Sequence, residues 1–196
     1  MTPERYNRLS SAINNRQPDL TVVLENVFDP HNVSAVMRTC DAVGIQEVYI
    51  LNDKIAPQKK WGYRSSSTAS EWLTVHQFTD IVTCFTEVKK KYEKVYSTHF
   101  TNEAKDVFDL NLTESIALVF GNETLGVSDE VLRYSDGHFV IPQVGIIKSL
   151  NISVACAITL YEAFRQKRQH GHYRASRLGA VESHSLRKKW GLDTGN

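Results

Sequence analysis

Leu20-Thr-Val-Val-Leu-Glu-Asn-Val-Phe-Asp-Pro-His-Asn-Val-Ser-Ala-Val-Met-Arg-Thr-Cys-Asp-Ala-Val-Gly-Ile-Gln-Glu-Val-Tyr-Ile-Leu51 is the stretch whose reading decides the fold class. Leu20–Leu24 is a short apolar run rich in β-branched residues, which is strand chemistry. Residues from about Asn32 to Val43 have helical character, and Gly44 stands where a left-handed C-terminal cap is needed. Glu47–Leu51 is a second strand. A strand, a helix and a strand in close succession make a parallel pair joined by a crossover.

The alternation continues in both directions. Upstream, Thr2-Pro3 opens a short basic helix to about Ile13, with Thr as N-cap and Pro at the first helical position. Downstream, residues 52–70 are a long polar connection, and Trp72–Val75 has the length of a short strand. Thr79-Asp80 caps a helix to about Lys91. Val95–Thr98 and Ile116–Phe120 are strands. Ser128 caps a short helix to Tyr134, and Phe139–Ile141 is a strand closed by Pro142. A long apolar helix spans about Leu150 to Gln169. A basic tail follows, with a last short helix carrying Leu186 and Trp190. This pattern predicts an α/β fold with a mostly parallel sheet covered on both faces. Nucleotide-type ligands of such sheets sit at the carboxyl ends of strands. Here those ends are residues 26–31, 98–100, 121–126 and 142–149.

Composition narrows the function classes. The chain has 196 residues, with 41% hydrophobic and 23% charged, as an ordinary globular domain does. No apolar stretch approaches the roughly 20 residues of a membrane span, and the first residues lack a secretory pattern. Cys40, Cys84 and Cys156 are scattered and odd in number, which favours reduced thiols in the cytoplasm over a disulfide frame or a zinc site. The net charge of +1 hides an asymmetry: +2 over residues 1–16, −7 over 17–164 and +6 over 165–196. An acidic core with basic ends is the footprint of a domain that holds a polyanion with its extensions, although two solvated basic helices would give the same count.

Several nucleotide motifs are missing. Gly121-Asn-Glu-Thr-Leu-Gly126 has the glycine spacing of a phosphate loop but continues Val127-Ser128, without the lysine such a loop requires. No Gly-x-Gly-x-x-Gly follows a strand, and no Gly-x-Ser-x-Gly elbow occurs. His170-Gly171-His172 in a basic tail does not make a metal site, and none is expected.

Three separated segments together resemble one family. The first runs Arg16-Gln-Pro-Asp-Leu-Thr-Val22, through Glu25, to Asp29-Pro-His-Asn-Val-Ser-Ala35 and Arg38-Thr-Cys-Asp-Ala-Val-Gly44. The second is Leu118-Val-Phe-Gly-Asn-Glu-Thr-Leu-Gly-Val-Ser128. The third is Ile141-Pro-Gln-Val-Gly-Ile-Ile-Lys-Ser-Leu-Asn-Ile-Ser-Val-Ala155, continuing to Tyr161-Glu-Ala-Phe-Arg165. Their order and spacing resemble the three signature motifs of the SpoU/TrmH family of the SPOUT superfamily. The Arg-Gln-Pro-Asp-Leu-Thr opening is similar to its TrmH subgroup, whose substrate is guanosine 18 of the tRNA D-loop.

That resemblance implies S-adenosylmethionine-dependent methylation of a guanosine ribose 2'-hydroxyl in tRNA. It implies a C-terminal deep trefoil knot, a rare exception to the rule against knotted chains, and a homodimer whose active sites take residues from both subunits. The chain then divides into a basic N-terminal helical extension over residues 1–18, a SPOUT methyltransferase domain over 19–169 and a basic C-terminal extension over 170–196. Two other readings stay open, a related SpoU ribose methyltransferase acting on ribosomal RNA and a non-catalytic RNA-binding protein.

Each residue the resemblance singles out also has a plain structural role to compete with. Asn32, near a helix start, could be only an N-cap; the resemblance puts it in the catalytic site. Arg38, among apolar neighbours, could only pair with Asp41. The resemblance makes it the catalytic arginine, and because a guanidinium stays protonated its work would be to grip the ribose or the adjacent phosphate and stabilise the forming alkoxide. Glu123 could be a solvated loop acid, and Ser149 and Asn151 could be helix caps; the resemblance has Glu123 organise the catalytic site and places Ser149 and Asn151 beside the ribose and the methyl group. It assigns the cofactor pocket to Thr98, Gly121, Ile141, Ile146 and Leu150, largely through backbone groups. Arg8, Arg16, Arg165, Lys167, Arg168 and Arg174 are expected at tRNA phosphates, which add salt-sensitive affinity without sequence readout. Tyr173 could stack on a base or pack against its neighbours.

Overall fold

A computed structural model of the chain describes residues 1–57 and 69–193. The part of the long polar connection between 58 and 68 lies outside the described residues. Helix α1 (Pro3–Asn14) is capped by Thr2 and leads into β1 (Leu20–Glu25). Then come α2 (Pro30–Ala42), β2 (Glu47–Leu51), α3 (Ala69–Trp72), β3 (Thr74–Phe78), α4 (Ile81–Lys91) and β4 (Lys94–Thr98). A two-residue strand β5 (Lys105–Asp106) precedes β6 (Ile116–Phe120), α5 (Asp129–Leu132), β7 (Gly137–Val140), α6 (Ile152–Gln169) and α7 (Ala180–Lys189).

The strands form one seven-stranded sheet in the order β3-β2-β1-β6-β4-β7-β5, and every pairing is parallel. β1 is central and buried along its whole length, with Leu24 opposite Phe120 and Val22 opposite Val48. A parallel sheet is stable only when both faces are covered. Val22, Leu24, Leu118 and Phe120 pack with Val36, Met37 and Cys40 of α2 and with Cys156 and Leu160 of α6. Val23, Val119 and Leu51 pack on the other face with Cys84, Phe85 and Val88 of α4. Each fully buried valine or leucine here contributes about 1.5–3 kcal/mol.

The order of the strands locates a crevice. From β1 the chain moves to β2 and β3 on one side, then crosses to β4 on the other side of β6. The carboxyl ends of β1 and β6 therefore flank a point where strand order reverses, the usual ligand site of an open α/β sheet.

Some expected boundaries move. Asp29 caps α2 by accepting from the His31 amide at 2.8 Å, so the helix begins at Pro30 and Asn32 is already inside it. Trp72 ends a helical turn rather than starting a strand, and it meets Trp190 edge-on at 5.3 Å. Asn151 caps α6, which starts at Ile152 rather than Leu150. Ile141 lies just beyond β7.

The basic ends are folded onto the domain. Ile13 of α1, Leu186 of α7, Trp190 and Leu192 make a small core of their own. Asp19, just ahead of β1, receives Lys167 at 3.0 Å and Arg177 at 2.8 Å, which ties the end of α6 and the following turn to the central strand.

Candidate active site

The site begins with the turn that ends β1. Asn26 has a φ of 49°, in the left-handed region that asparagine tolerates better than most residues. Its carboxamide donates to Asp53 at 2.7 Å and accepts from the Lys54 amide at 3.1 Å, while its carbonyl accepts from the Asn122 side chain at 2.8 Å. One residue thus ties together the loops after β1, β2 and β6.

The loop after β6 presents Glu123. It is closed by paired backbone bonds between Asn122 and Gly126 at 2.8 and 2.9 Å, and Asn122 Oδ1 accepts from the Thr124 and Leu125 amides. A Cβ on Gly121 would sit 2.2 Å from the Gly126 carbonyl oxygen, and Gly126 itself has a φ of 70°. Both glycines are required by the tightness of this loop.

Three of the expected site residues meet here. Glu123 Oε1 accepts from Asn32 Nδ2 at 2.9 Å, and its Oε2 accepts from the Phe28 amide at 3.3 Å. Asn32 Oδ1 accepts from Asn151 Nδ2 at 3.1 Å. Asn32 is not a cap, because Asp29 already does that work and leaves the asparagine side chain free to reach across to the loop after β6. Asn151 has both of its competing roles at once: its Oδ1 caps α6 and its Nδ2 reaches Asn32.

Beside this group lies a cleft of about 860 Å³ at the carboxyl ends of β4, β6 and β7. Thr98, Gly121, Ile141 and Leu150 line it, together with Glu123 and Ser149. The volume and the mostly apolar walls suit a nucleoside-sized ligand held by a few polar groups. Thr98 Oγ1 donates to the Val119 carbonyl at 3.3 Å, which fixes the floor. Ile146 departs from expectation. It is 101% exposed, next to Val144 at 107%, and stands away from the cleft lining.

Arg38 also stands apart. It is exposed on the next turns of α2 and opens onto a second cleft of about 590 Å³ with Arg5, Arg8, Asp41, Trp72 and Trp190. Six residues of helix rotate it away from Asn32. The ion pair with Asp41 that could have explained Arg38 belongs to Arg16, at 2.7 Å. Arg38 has no hydrogen-bond or ion-pair partner among the described residues.

The expected phosphate contacts divide. Arg16 is 1% exposed: it donates to the Ile45 and Trp72 carbonyls at 2.9 and 3.3 Å, and its guanidinium lies 5.1 Å from the Trp190 ring. Lys167 is fully buried against Asp19 and the Thr113 and Glu114 carbonyls. Burial lowers the pKa of both cations, while Asp41 and Asp19 respectively work against that. Neither side chain is offered to a polyanion, and for these two the expectation is corrected: their charge serves the interior. Arg8, Arg165, Arg168 and Arg174 are exposed. Arg165 forks onto Glu162 at 2.7 and 2.8 Å, and Arg168 lies over Phe164. Tyr173 packs on Phe164 and donates to the Val43 carbonyl at 2.7 Å, so its ring belongs to the fold.

Sequence reasoning missed Asn26, Asn122 and the Phe28 amide, which hold Glu123 in place. No side-chain pattern marks a backbone donor, and asparagines beside glycines read as ordinary turns.

The profile of the SpoU rRNA Methylase family matches residues 19–161. The chain belongs to the SpoU methylase family. A curated relative, the tRNA (guanosine(18)-2'-O)-methyltransferase of Thermus thermophilus, is 39% identical over 177 residues, covering 90% of each chain. The crystal structure of the A. aeolicus TrmH/SpoU tRNA modifying enzyme superposes with a TM-score of 0.87 at 33% identity, covering 98% of both chains. The SpoU methyltransferase AviRb from Streptomyces viridochromogenes, solved with AdoMet, shares the fold at 24% identity and a TM-score of 0.69, over 79% of this chain and 59% of that one.

Proposed function

We propose that this protein transfers a methyl group from S-adenosylmethionine to the 2'-hydroxyl of guanosine 18 in the tRNA D-loop. The carrying observation is the hydrogen-bonded group Asn32–Glu123–Asn151, whose Glu123 lines the same cleft as Thr98, Gly121, Ile141 and Leu150. The high coverage of the Thermus relative, named for guanosine 18, supports the substrate.

The cofactor fits the residues present. The cleft is large enough for an adenosine with its amino-acid arm, its walls are mainly apolar, and the Glu123 carboxylate gives its mouth a negative group suited to a sulfonium. When bound, S-adenosylmethionine supplies an already activated methyl group. The chain's own residues have the remaining work. Glu123 fixes the Asn32 carboxamide. Asn32 and Asn151 orient the ribose and donate to the oxygen that loses its proton. Ser149 lines the cleft next to them. Arg38 grips the phosphate beside the target ribose.

The separation of Arg38 from Glu123, each on its own cleft, supports a homodimer in which Arg38 serves the partner's site. Val144, Ile146 and Ile147 in the loop before α6, with Val154 and Tyr161 on α6, are exposed apolar groups of the kind a partner copy covers. The carboxyl half is read as a deep trefoil knot, supported by the placement of β7 between β4 and β5. Residues 1–18 and 170–196 are read as basic extensions around a methyltransferase domain over 19–169. In that reading Arg8, Arg165, Arg168 and Arg174 meet tRNA phosphates. The location is read as cytoplasmic, where tRNA is and where buried free Cys40, Cys84 and Cys156 stay reduced.

The test is incubation with methyl-labelled S-adenosylmethionine and unmodified tRNA, followed by digestion to nucleosides. The expected label is in 2'-O-methylguanosine from position 18. Label in a base, label only when ribosomal RNA is supplied, or tight tRNA binding without transfer would each overturn the proposal.

A further inference from the structure

The hydrogen bonds around Asn32 continue one residue beyond the expected site. Asn151 Oδ1 accepts from the Ser153 amide at 2.8 Å and from Ser153 Oγ at 2.6 Å. Asn151 Nδ2 then donates to Asn32 Oδ1, and Asn32 Nδ2 to Glu123 Oε1. The two ends of this chain differ chemically. An ionised carboxylate only accepts, and a backbone amide only donates. Between a donor at Ser153 and an acceptor at Glu123, two carboxamides satisfy every contact in one sense only, with both Nδ2 groups turned toward Glu123. Reversing either would set oxygen against oxygen or nitrogen against nitrogen.

That polarity has a consequence for the site. Each carboxamide nitrogen carries two protons, and the chain uses one from each. The second N–H of Asn32 and the second N–H of Asn151 make no hydrogen bond among the described residues. Two fixed donors linked by hydrogen bonds to Glu123, which itself lines the cleft, are what a developing alkoxide needs, because preorganised dipoles stabilise charge without reorganising as it forms.

We propose that Ser153 is a positioning residue for methyl transfer: its amide sets, and its hydroxyl holds rigid, the head-to-tail order Ser153–Asn151–Asn32–Glu123, so that one free N–H of each asparagine faces the reacting ribose oxygen. Ser153 itself touches neither substrate nor cofactor. The hydroxyl matters beyond the amide because a second donor on Asn151 Oδ1 opposes rotation of the carboxamide on an exposed helix start. This inference rests on the proposed methyl transfer, and the controls separate the two.

The experiment compares wild type with Ser153→Ala and Ser153→Thr. With Ser153→Ala, kcat for tRNA methylation falls about tenfold, the worth of one well-placed hydrogen bond. KM for tRNA and for S-adenosylmethionine stays at the wild-type level. Ser153→Thr keeps the hydroxyl and restores kcat. In parallel, the side-chain amide resonances of Asn32 and Asn151 in nitrogen-edited spectra shift with Ser153→Ala and return with Ser153→Thr. An active wild type whose Ser153→Ala variant keeps its kcat overturns the inference. So do equal losses in both variants, or amide resonances that do not move. A wild type that methylates no RNA overturns the proposed function instead.

Discussion

The Asn32 carboxamide donates to the Glu123 carboxylate at 2.9 Å, across 91 residues of sequence. The bond joins the helix after β1 to the loop after β6, and these flank the reversal of strand order. Neither residue can hold its geometry alone. Glu123 depends on the tight turn between Gly121 and Gly126, and Asn32 depends on Asp29 having taken the cap. The pair should therefore act as a unit. Asn32→Ala and Glu123→Gln are each expected to lower kcat/KM by about a hundredfold, and the double variant by little more than either. A double-mutant cycle on tRNA methylation checks this. Losses that multiply would mean that the two residues work independently.

The buried and exposed arginines should separate cleanly. Arg8→Ala is expected to weaken tRNA binding and flatten its salt dependence while leaving the melting temperature unchanged. Arg16→Ala leaves Asp41 and the Ile45 and Trp72 carbonyls without their cation, and should cost about 3–5 kcal/mol of stability. Filter binding across a salt series, with denaturant melts of the same variants, distinguishes the two.

This contrast shows what the sequence carried and what it did not. The strands and helices were legible because apolar periodicity and caps are local. Leu20–Leu24, Ile116–Phe120 and the helix capped by Asp80 lie within a residue or two of where pattern alone sets them. The meeting of Asn32, Glu123 and Asn151 was legible only through resemblance, since no local rule brings the starts of α2 and α6 together with the end of β6. The fates of Arg16 and Lys167 were hidden because a charge count does not say which cations have a carboxylate waiting inside. Asp41 and Asp19 decide that, and both contacts are set by tertiary packing. β5 has only two residues, too few to carry a period.

Acid stability should depend on Glu47. Burial pushes its carboxyl upward, but the His76 ring at 3.6 Å and the hydrogen-bonded Lys91 ammonium at 2.8 Å outweigh this and hold it from 4.5 down to about 2. A carboxyl depressed on folding contributes stability that is complete above its unfolded pKa and is lost as pH falls through the folded one. Stability should thus decline between about pH 4.5 and 2. Glu47→Gln should be less stable at neutral pH and should flatten the decline across that window. Denaturant melts at a series of pH values check this; an unchanged profile would show that Glu47 gains nothing on folding.

Shared sites should complement. If Arg38 works in the partner's site, Arg38→Ala and Glu123→Gln variants are each strongly impaired as pure dimers. Mixing and refolding them would make heterodimers in which one site holds both wild-type residues. Activity reappearing in the mixture is the expected outcome. A mixture as impaired as its components would place Arg38 and Glu123 in the same protomer's site, and an active Arg38→Ala dimer would put Arg38 outside the chemistry.

The most direct measurement uses a tRNA with one atom missing. A transcript carrying 2'-deoxyguanosine at position 18 alone keeps its base, its phosphates and its fold. It should bind with nearly unchanged affinity and accept no methyl group, because the proposed site of Asn32, Asn151 and Glu123 acts on an oxygen that is no longer there. Methyl transfer to that tRNA at the rate seen with the unaltered one would contradict the account.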